Sequence, residues 1–368
     1  MKRWFALAAV LIMAVCQSAC SGKTTDIFTS HEEKKEEETA ITIWAFSIGN
    51  WGKPSTLSSL VSAFRKEYPN IRISTECLDY TTGDEKIAAA IEEGSLPDLI
   101  LESPERIVAN WGEMGLMADL SDLWEADYAS EIYDSVRDAC KNSDDSYYIF
   151  PLCMNTHCMA INYDLFEKAD ALQYIDEETR TWSTKDFIKA VNALREYGQE
   201  QVAVIYCKDQ GGDQGTRALV NNLYGGSYTD EAHTRYIADS KKNIRALQLL
   251  YDLEGIDFDS SISGEGEIER FCNGELAMAF CWNEALEVAH TIKTPDRSFE
   301  ILPMAFPTNS GEPKLQGGIW GFGIFDNKDA AKIDACKTFI RYMTENSAQY
   351  ARSVQTSNFW PVRDMENI

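Results

Sequence analysis

Two hydrophobic periods alternate in the first foldable stretch of the chain, and this alternation restricts the fold more than any other feature. Residues 41–46 (ITIWAF) read as a strand. Leu57, Leu60, Val61 and Phe64 then recur at i, i+3, i+4 and i+7, the stripe of an amphipathic helix. Pro69-Asn70 ends that helix, and residues 71–78 read as a second strand. Residues 86–93 read as a short helix stopped by Gly94, and residues 98–101 as a third, apolar strand. Strand, helix, strand, helix, strand implies a parallel sheet with right-handed helical crossovers. Ligands of open α/β sheets bind just beyond the carboxyl ends of the strands. Residues 47–51 and 102–106 therefore belong to a candidate site.

Residues 147–169 (YYIFPLCMNTHCMAINYDLFEKA) read as two short apolar strands with a polar break at Asn155–His157, then a turn into a helix. Pro151 cannot donate to a ladder, so this strand is expected at an edge or a bend. A second α/β region follows. Ser183 and Asp186 form a capping pair ahead of a stripe of Phe187, Val191 and Leu194. Residues 202–207 read as a strand, 216–223 and 244–253 as helices, and 276–281 as a strand with Trp282 and Asn283 at its carboxyl end. Residues 317–325 (GGIWGFGIF) form a glycine-rich strand that another backbone or a ligand can approach closely. Residues 331–344 read as a helix, after which the chain runs to Pro361-Val362. A segment such as 147–169, lying between two α/β regions, is a natural crossing between lobes.

With 368 residues, 44% of them hydrophobic, the chain can bury a sizeable core and favours two domains. Its net charge of −25 makes it a poor nucleic-acid binder, because phosphate neutralisation needs clustered Lys and Arg. Lys2 and Arg3 precede an apolar run at 5–15 that is too short to span a bilayer comfortably. Gln17-Ser18-Ala19-Cys20 follows and resembles a bacterial lipoprotein signal, with Gln17 where an aliphatic residue is usual. That resemblance implies export, lipid on Cys20 and attachment to the outer face of the cell membrane. Residues 21–40, which include SHEEKKEEET, read as a charged tether with nothing to bury. Eight further cysteines are scattered without a C-x-x-C and read mostly as small buried hydrophobes; Cys153 with Cys158, or Cys272 with Cys281, are the candidate pairs.

The ordered motifs resemble the extracellular solute-binding proteins of ABC importers, family 1, relatives of maltose-binding protein. They are Phe64-Arg65-Lys66-Glu67-Tyr68-Pro69-Asn70-Ile71, Gly94-Ser95-Leu96-Pro97-Asp98-Leu99-Ile100, Gly115-Leu116 with Asp119-Leu120, and Asn162-Tyr163-Asp164-Leu165-Phe166. Thr181-Trp182-Ser183, Tyr224-Gly225-Gly226, Phe271 with Gly274-Glu275-Leu276-Ala277-Met278, and Pro361-Val362 continue the series. The pair Asn162-Tyr163 departs from the family's usual Tyr-Asn-Lys. The resemblance implies a two-lobed, periplasmic-binding-protein-like α/β fold of type II, each lobe a mixed or parallel sheet flanked by helices. Residues 41–152 plus 304–355 would form lobe 1, and 153–303 plus 356–368 lobe 2. The family carries further helices after the position of Pro361-Val362, so a C-terminally truncated second lobe is an expectation of the comparison. It also implies a monomer that captures a mono- or oligosaccharide by hinge closure and docks on ABC permease transmembrane subunits.

Nothing in the sequence has a catalytic pattern: G-x-S-x-G, H-E-x-x-H and G-x-x-x-x-G-K-[ST] do not occur. Gly211-Gly212-Asp213-Gln214-Gly215 reads as a surface loop. Cys153, His157 and Cys158 offer three metal donors with no evident fourth, so neither metal nor cofactor is expected. Sugars present an apolar C–H face and a hydroxyl rim, which an aromatic platform beside amides and carboxylates matches. The candidate ligand contacts are Trp44, Trp51, Glu102, Asn155, Trp282, Asn283, Gly318 and Trp320. Two rivals stand beside a sugar. A polyamine or other cation would be favoured by Glu102 and Glu105 facing the cleft. An exported glycan hydrolase would need two carboxylates facing each other at glycosidase spacing.

Overall fold

The computed structural model describes residues 38–365 apart from 81, 209–213, 232–233, 284, 287 and 289–297. The signal segment, Cys20 and most of the tether lie outside the described residues, as do Gly211, Gly212 and Asp213 of the expected surface loop. Strand β1 (Thr39–Phe46), helix α1 (Pro54–Glu67), β2 (Ile71–Leu78), α2 (Gly83–Glu93) and β3 (Leu99–Glu102) reproduce the alternation read from sequence. Leu57, Leu60, Val61 and Phe64 are the buried residues of α1, and Gly94 caps α2 in the left-handed region at φ +66°. Short helices α3 (Pro104–Arg106), α4 (Ser121–Trp124) and α5 (Asp134–Cys140) lead to β4 (Phe150–Asn162). Then come α6 (Tyr163–Lys168), α7 (Thr184–Tyr197), β5 (Ala203–Tyr206), α8 (Gln214–Tyr224), α9 (Lys241–Asp252) and β6 (Ile256–Asp259). Helix α10 (Gly264–Cys272), β7 (Met278–Trp282), β8 (Ile301–Met304), β9 (Gln316–Ile324), α11 (Ala330–Thr344), α12 (Ser347–Ser357) and β10 (Trp360–Pro361) complete the described order.

The main sheet runs β10-β4-β9-β3-β1-β2. β1 is parallel to β2 and β3, while β9 is antiparallel to both β3 and β4, so the sheet is mixed. β4 then changes neighbours. Its first part pairs with β9 and β10, and its last residues pair with β7 and β8. β5 and β6 are parallel, and the Ala277 and Met278 N–H groups donate to the Val202 carbonyl at 2.9 and 3.1 Å, tying this pair to β7. Two main cores result. Phe64, Phe150, Leu152, Phe322 and Phe339 belong to the first, and Met159, Ile161, Phe187, Leu219, Phe280 and Phe306 to the second. A single strand, β4, contributes to both.

Several expectations need correction. β4 is one strand of 13 residues, not two strands broken at Asn155–His157. Its polar residues are tolerated because Gly318 faces Asn155 and Gly317 faces Thr156 across the ladder. The ladder does shift register between Pro151 and Cys153, where proline removes a donor. The return to the first lobe falls later than residue 304: Met304 and Phe306 lie in the second core, and Lys314 N donates to Asn222 Oδ1 at 2.7 Å. Residues 356–365 were expected in lobe 2 but pack with the first core, where Val362 is 1% exposed. Helix α12 has no counterpart in the sequence reading. The Cys153–Cys158 and Cys272–Cys281 pairs do not form, and no disulfide joins any of the eight cysteines of the described residues.

Candidate functional site at the lobe junction

The carboxyl ends of β2 and β3 and the middle of β9 carry one connected hydrogen-bond chain. Glu102, the last residue of β3, is 1% exposed. Its Oε2 accepts from Tyr80 Oη at 3.1 Å, and its Oε1 accepts from Ser103 Oγ and Arg106 Nη1, each at 3.0 Å. Tyr80 Oη in turn accepts from Trp320 Nε1 at 3.1 Å. The Tyr80 ring stacks on Phe46 with centroids 5.0 Å apart, and the Trp320 ring leans on Phe359 at 4.8 Å. Gly318 is required here, because a Cβ on it would lie 2.3 Å from the Trp320 ring. Gly321 serves β9 differently: a Cβ there would come within 2.4 Å of the Phe150 carbonyl on β4.

One guanidinium, Arg106, serves two carboxylates in this cluster, Glu102 and Asp84. Burial raises the Glu102 carboxyl above its usual range, and the Arg106 guanidinium opposes that rise. Arg106 also holds Asp84 through two bonds of 2.9 Å, which raises its own pKa further. The Tyr80 hydroxyl is pushed well up by burial and by the neighbouring carboxylate. Tyr80 therefore stays a neutral phenol, and both carboxylate oxygens of Glu102 are engaged before any ligand arrives.

The other candidates separate. Trp51 is fully buried, donates from Nε1 to the Ser353 carbonyl at 3.0 Å and meets Phe322 edge-on, so it has no surface to offer. Trp44 is half-buried, with the Lys86 ammonium 4.8 Å from its ring centroid. On the second lobe, Trp282 is 1% exposed against Phe271, and its Nε1 has no hydrogen-bond partner among the described residues. Asn283 caps the turn that follows, accepting from Leu286 N at 2.9 Å. Asn155, on the strand between the lobes, is 2% exposed, and its Oδ1 likewise lacks a partner among the described residues. His157 Nδ1 lies 3.8 Å from Cys281 Sγ, and burial lowers the imidazole pKa. Among the described residues no three His, Cys, Asp or Glu side chains are placed to hold a metal ion. The structure thus brings Glu102, Gly318 and Trp320 together and adds Tyr80, Arg106 and Phe359. Tyr80 was within reach of sequence reasoning, since it lies just past the end of the second strand, where the same rule that singled out 47–51 and 102–106 applies.

Residues 59–365 match the family described as bacterial extracellular solute-binding protein. The chain belongs to that family. Solved structures of similar fold include the ABC substrate-binding protein Lmo0181 of Listeria monocytogenes in complex with cycloalternan. It is 22% identical, with a TM-score of 0.69 over 90% of this chain and 81% of that one. The GacH receptor of Streptomyces glaucescens, solved unliganded and with acarbose, is 18% identical, with a TM-score of 0.68 over 89% and 81%. Maltose-bound MalE3 of T. maritima is 17% identical, with a TM-score of 0.67 over 89% and 82%. No curated protein sequence matches the chain. The fold therefore matches that of two-lobed solute-binding proteins, and β4 is the strand that contributes to both main cores.

Proposed function

We propose that this solute-binding protein captures a carbohydrate by closing its lobes and delivers it to the transmembrane subunits of an ABC importer, without bond chemistry. The observation that carries the reading is the Trp320–Tyr80–Glu102 chain. It holds an indole and a phenol beside the ends of β2 and β3, with the Glu102 carboxylate bonded to Tyr80 and Arg106 beneath them. Such a surface suits a neutral, hydroxyl-rich ligand with an apolar C–H face. A polyamine would find no free oxygen on Glu102, because Tyr80, Ser103 and Arg106 already engage both. The ligands bound in the neighbouring structures, cycloalternan, acarbose and maltose, support the same class. Trp320 and Gly318 belong to the proposed site with Glu102 bracing Tyr80; Asn155 and Trp282 join it because each buries a polar atom with no partner among the described residues, and Asn283 follows Trp282, whereas Trp51, whose Nε1 is already bonded, and Trp44 serve packing.

Thermal unfolding with gluco-oligosaccharides, sugar alcohols and polyamines tests this. A sugar at a hundred times its Kd stabilises the folded chain by about 2.7 kcal/mol. Trp320→Ala removes a half-buried ring at the margin of the first core and should lower the affinity about tenfold, about 1.4 kcal/mol of aromatic contact. A transition shifted by cations alone sinks the carbohydrate reading, and cleavage products sink the non-enzymatic one. Anchoring through lipid on Cys20 is part of the proposal. Cys20→Ser should move the exported protein from the membrane to the soluble fraction, and unchanged membrane recovery would remove the anchor.

A further inference from the structure

Helix α9 (Lys241–Asp252) presents an apolar stripe to solvent. Asn243, Ala246 and Leu250 face inward, while Ile244, Leu247 and Tyr251 are 55%, 43% and 76% exposed. Positions i, i+3 and i+7 share one helical face, so these three side chains form a continuous ridge. Isolated exposed apolar residues are ordinary, but three in a row along one helix call for a covering partner. The charges around the ridge are sorted by end. Lys241, Lys242 and Arg245 are exposed at its start, on a chain whose net charge is −25. Asp252, Glu254 and Asp257 are exposed at and just beyond its end. Arg245 also stacks on Tyr224 with its guanidinium 3.9 Å from the ring centroid, at the edge of a groove of 450 Å³ shared with Ile244, Gln248 and Leu249.

We infer that the α9 face is a self-association surface, on which a second copy of this chain packs its own α9 antiparallel about a twofold axis. The pattern is self-complementary, as an isologous interface requires. With the axis between Leu247 and Gln248, Ile244 meets Tyr251 of the other copy and Lys241 meets Glu254 of the other copy. The basic end of each helix lies along the acidic end of its mate. A parallel pairing would set like charges together. One helix of 12 residues is about 18 Å long, so the contact is small and the dimer weak and transient. This replaces the monomer expected from the family resemblance and does not depend on the ligand reading.

Sedimentation equilibrium of the whole chain, from about 1 to about 500 µM, tests the inference. The weight-average mass should climb toward twice the monomer. Leu247→Glu, an exposed position, should hold it at the monomer while leaving the circular dichroism unchanged. Lys241→Glu with Lys242→Glu should weaken self-association at least tenfold, and mixing that variant with Asp252→Lys plus Glu254→Lys should restore a heterodimer. A wild-type chain monomeric at the highest concentration overturns the inference, as does a Leu247→Glu variant that still dimerises. Binding of the monomer to phosphatidylglycerol vesicles, lost in Leu247→Glu, would also overturn it and assign the ridge to a lipid surface.

Discussion

Raising the pH from about 5 to about 8 costs this chain about 3 kcal/mol of stability through Glu267, and Glu267→Gln removes that loss. Glu267 lies on α10 and is 0% exposed. Its Oε1 accepts from Phe280 N at 2.6 Å, and its Oε2 has no partner among the described residues. One backbone bond does not compensate a buried carboxylate, so burial pushes the pKa from 4.5 up to about 8. The sign follows from proton counting. Between those two values the folded chain keeps the proton and the unfolded chain has lost it, so stability falls as pH rises. The slope can reach about 1.4 kcal/mol per pH unit. His157 works in the opposite direction. Burial lowers its pKa below 6.5, so its contribution improves as pH rises toward that value. The neighbouring Cys281 thiol is raised to about 12 and stays neutral throughout. Because His157 and Cys281 are common to both proteins, the difference between wild type and Glu267→Gln isolates the carboxyl. Urea unfolding of both at the two pH values measures it, and parallel pH profiles would sink the argument.

The first lobe is more legible in the sequence than the site is. β1 to β3 and their helices follow from local period and from two stop signals, Pro69 and Gly94, because each element buries one regular face. Helix α12 is illegible for a physical reason. Its inward face includes Ser353 and Ser357, which satisfy themselves locally by donating to the Gln349 and Val354 carbonyls at 2.9 and 2.6 Å. Buried serines erase the apolar stripe that marks a helix. β4 misleads in a similar way. Asn155, Thr156 and His157 look like a break, but the strand changes partners there, and glycines on β9 leave the polar side chains room. Trp51 and Trp320 show the limit for the site. Both are tryptophans near strands, and only the long-range partners, Ser353 for one and Tyr80 for the other, separate a core residue from a member of the strand-end hydrogen-bond chain.

The corrected place of the C-terminal segment carries the other large expected effect: ending the chain at Phe359 should cost roughly 4–6 kcal/mol, a large share of a typical domain's 5–15. β10 pairs Trp360 and Pro361 with Met154 and Cys153 of β4. Val362 fills the first core, its N–H donates to Tyr350 Oη at 2.8 Å, and its carbonyl accepts from Tyr133 N at 3.0 Å. Arg363 is only 3% exposed; its Nη2 donates to the Thr344 carbonyl at 2.9 Å, and its guanidinium lies 4.4 Å from the Tyr350 ring centroid. Its acidic neighbour Glu131, at 3.5 Å, is itself 59% exposed, so the carbonyl and ring contacts outweigh that pair. Deletion therefore removes a buried valine and leaves Tyr350 Oη, Tyr133 N and the Thr344 carbonyl without these partners. Arg363→Ala alone should cost about 2–3 kcal/mol, since it strands the carbonyl and opens space between the Tyr350 and Tyr128 rings. Arg363→Lys keeps the charge but loses the planar fork and should recover only part of that. Urea unfolding ranks the three variants. An Arg363→Ala chain within about 0.5 kcal/mol of wild type would place residues 360–363 outside the cooperative core of the first lobe.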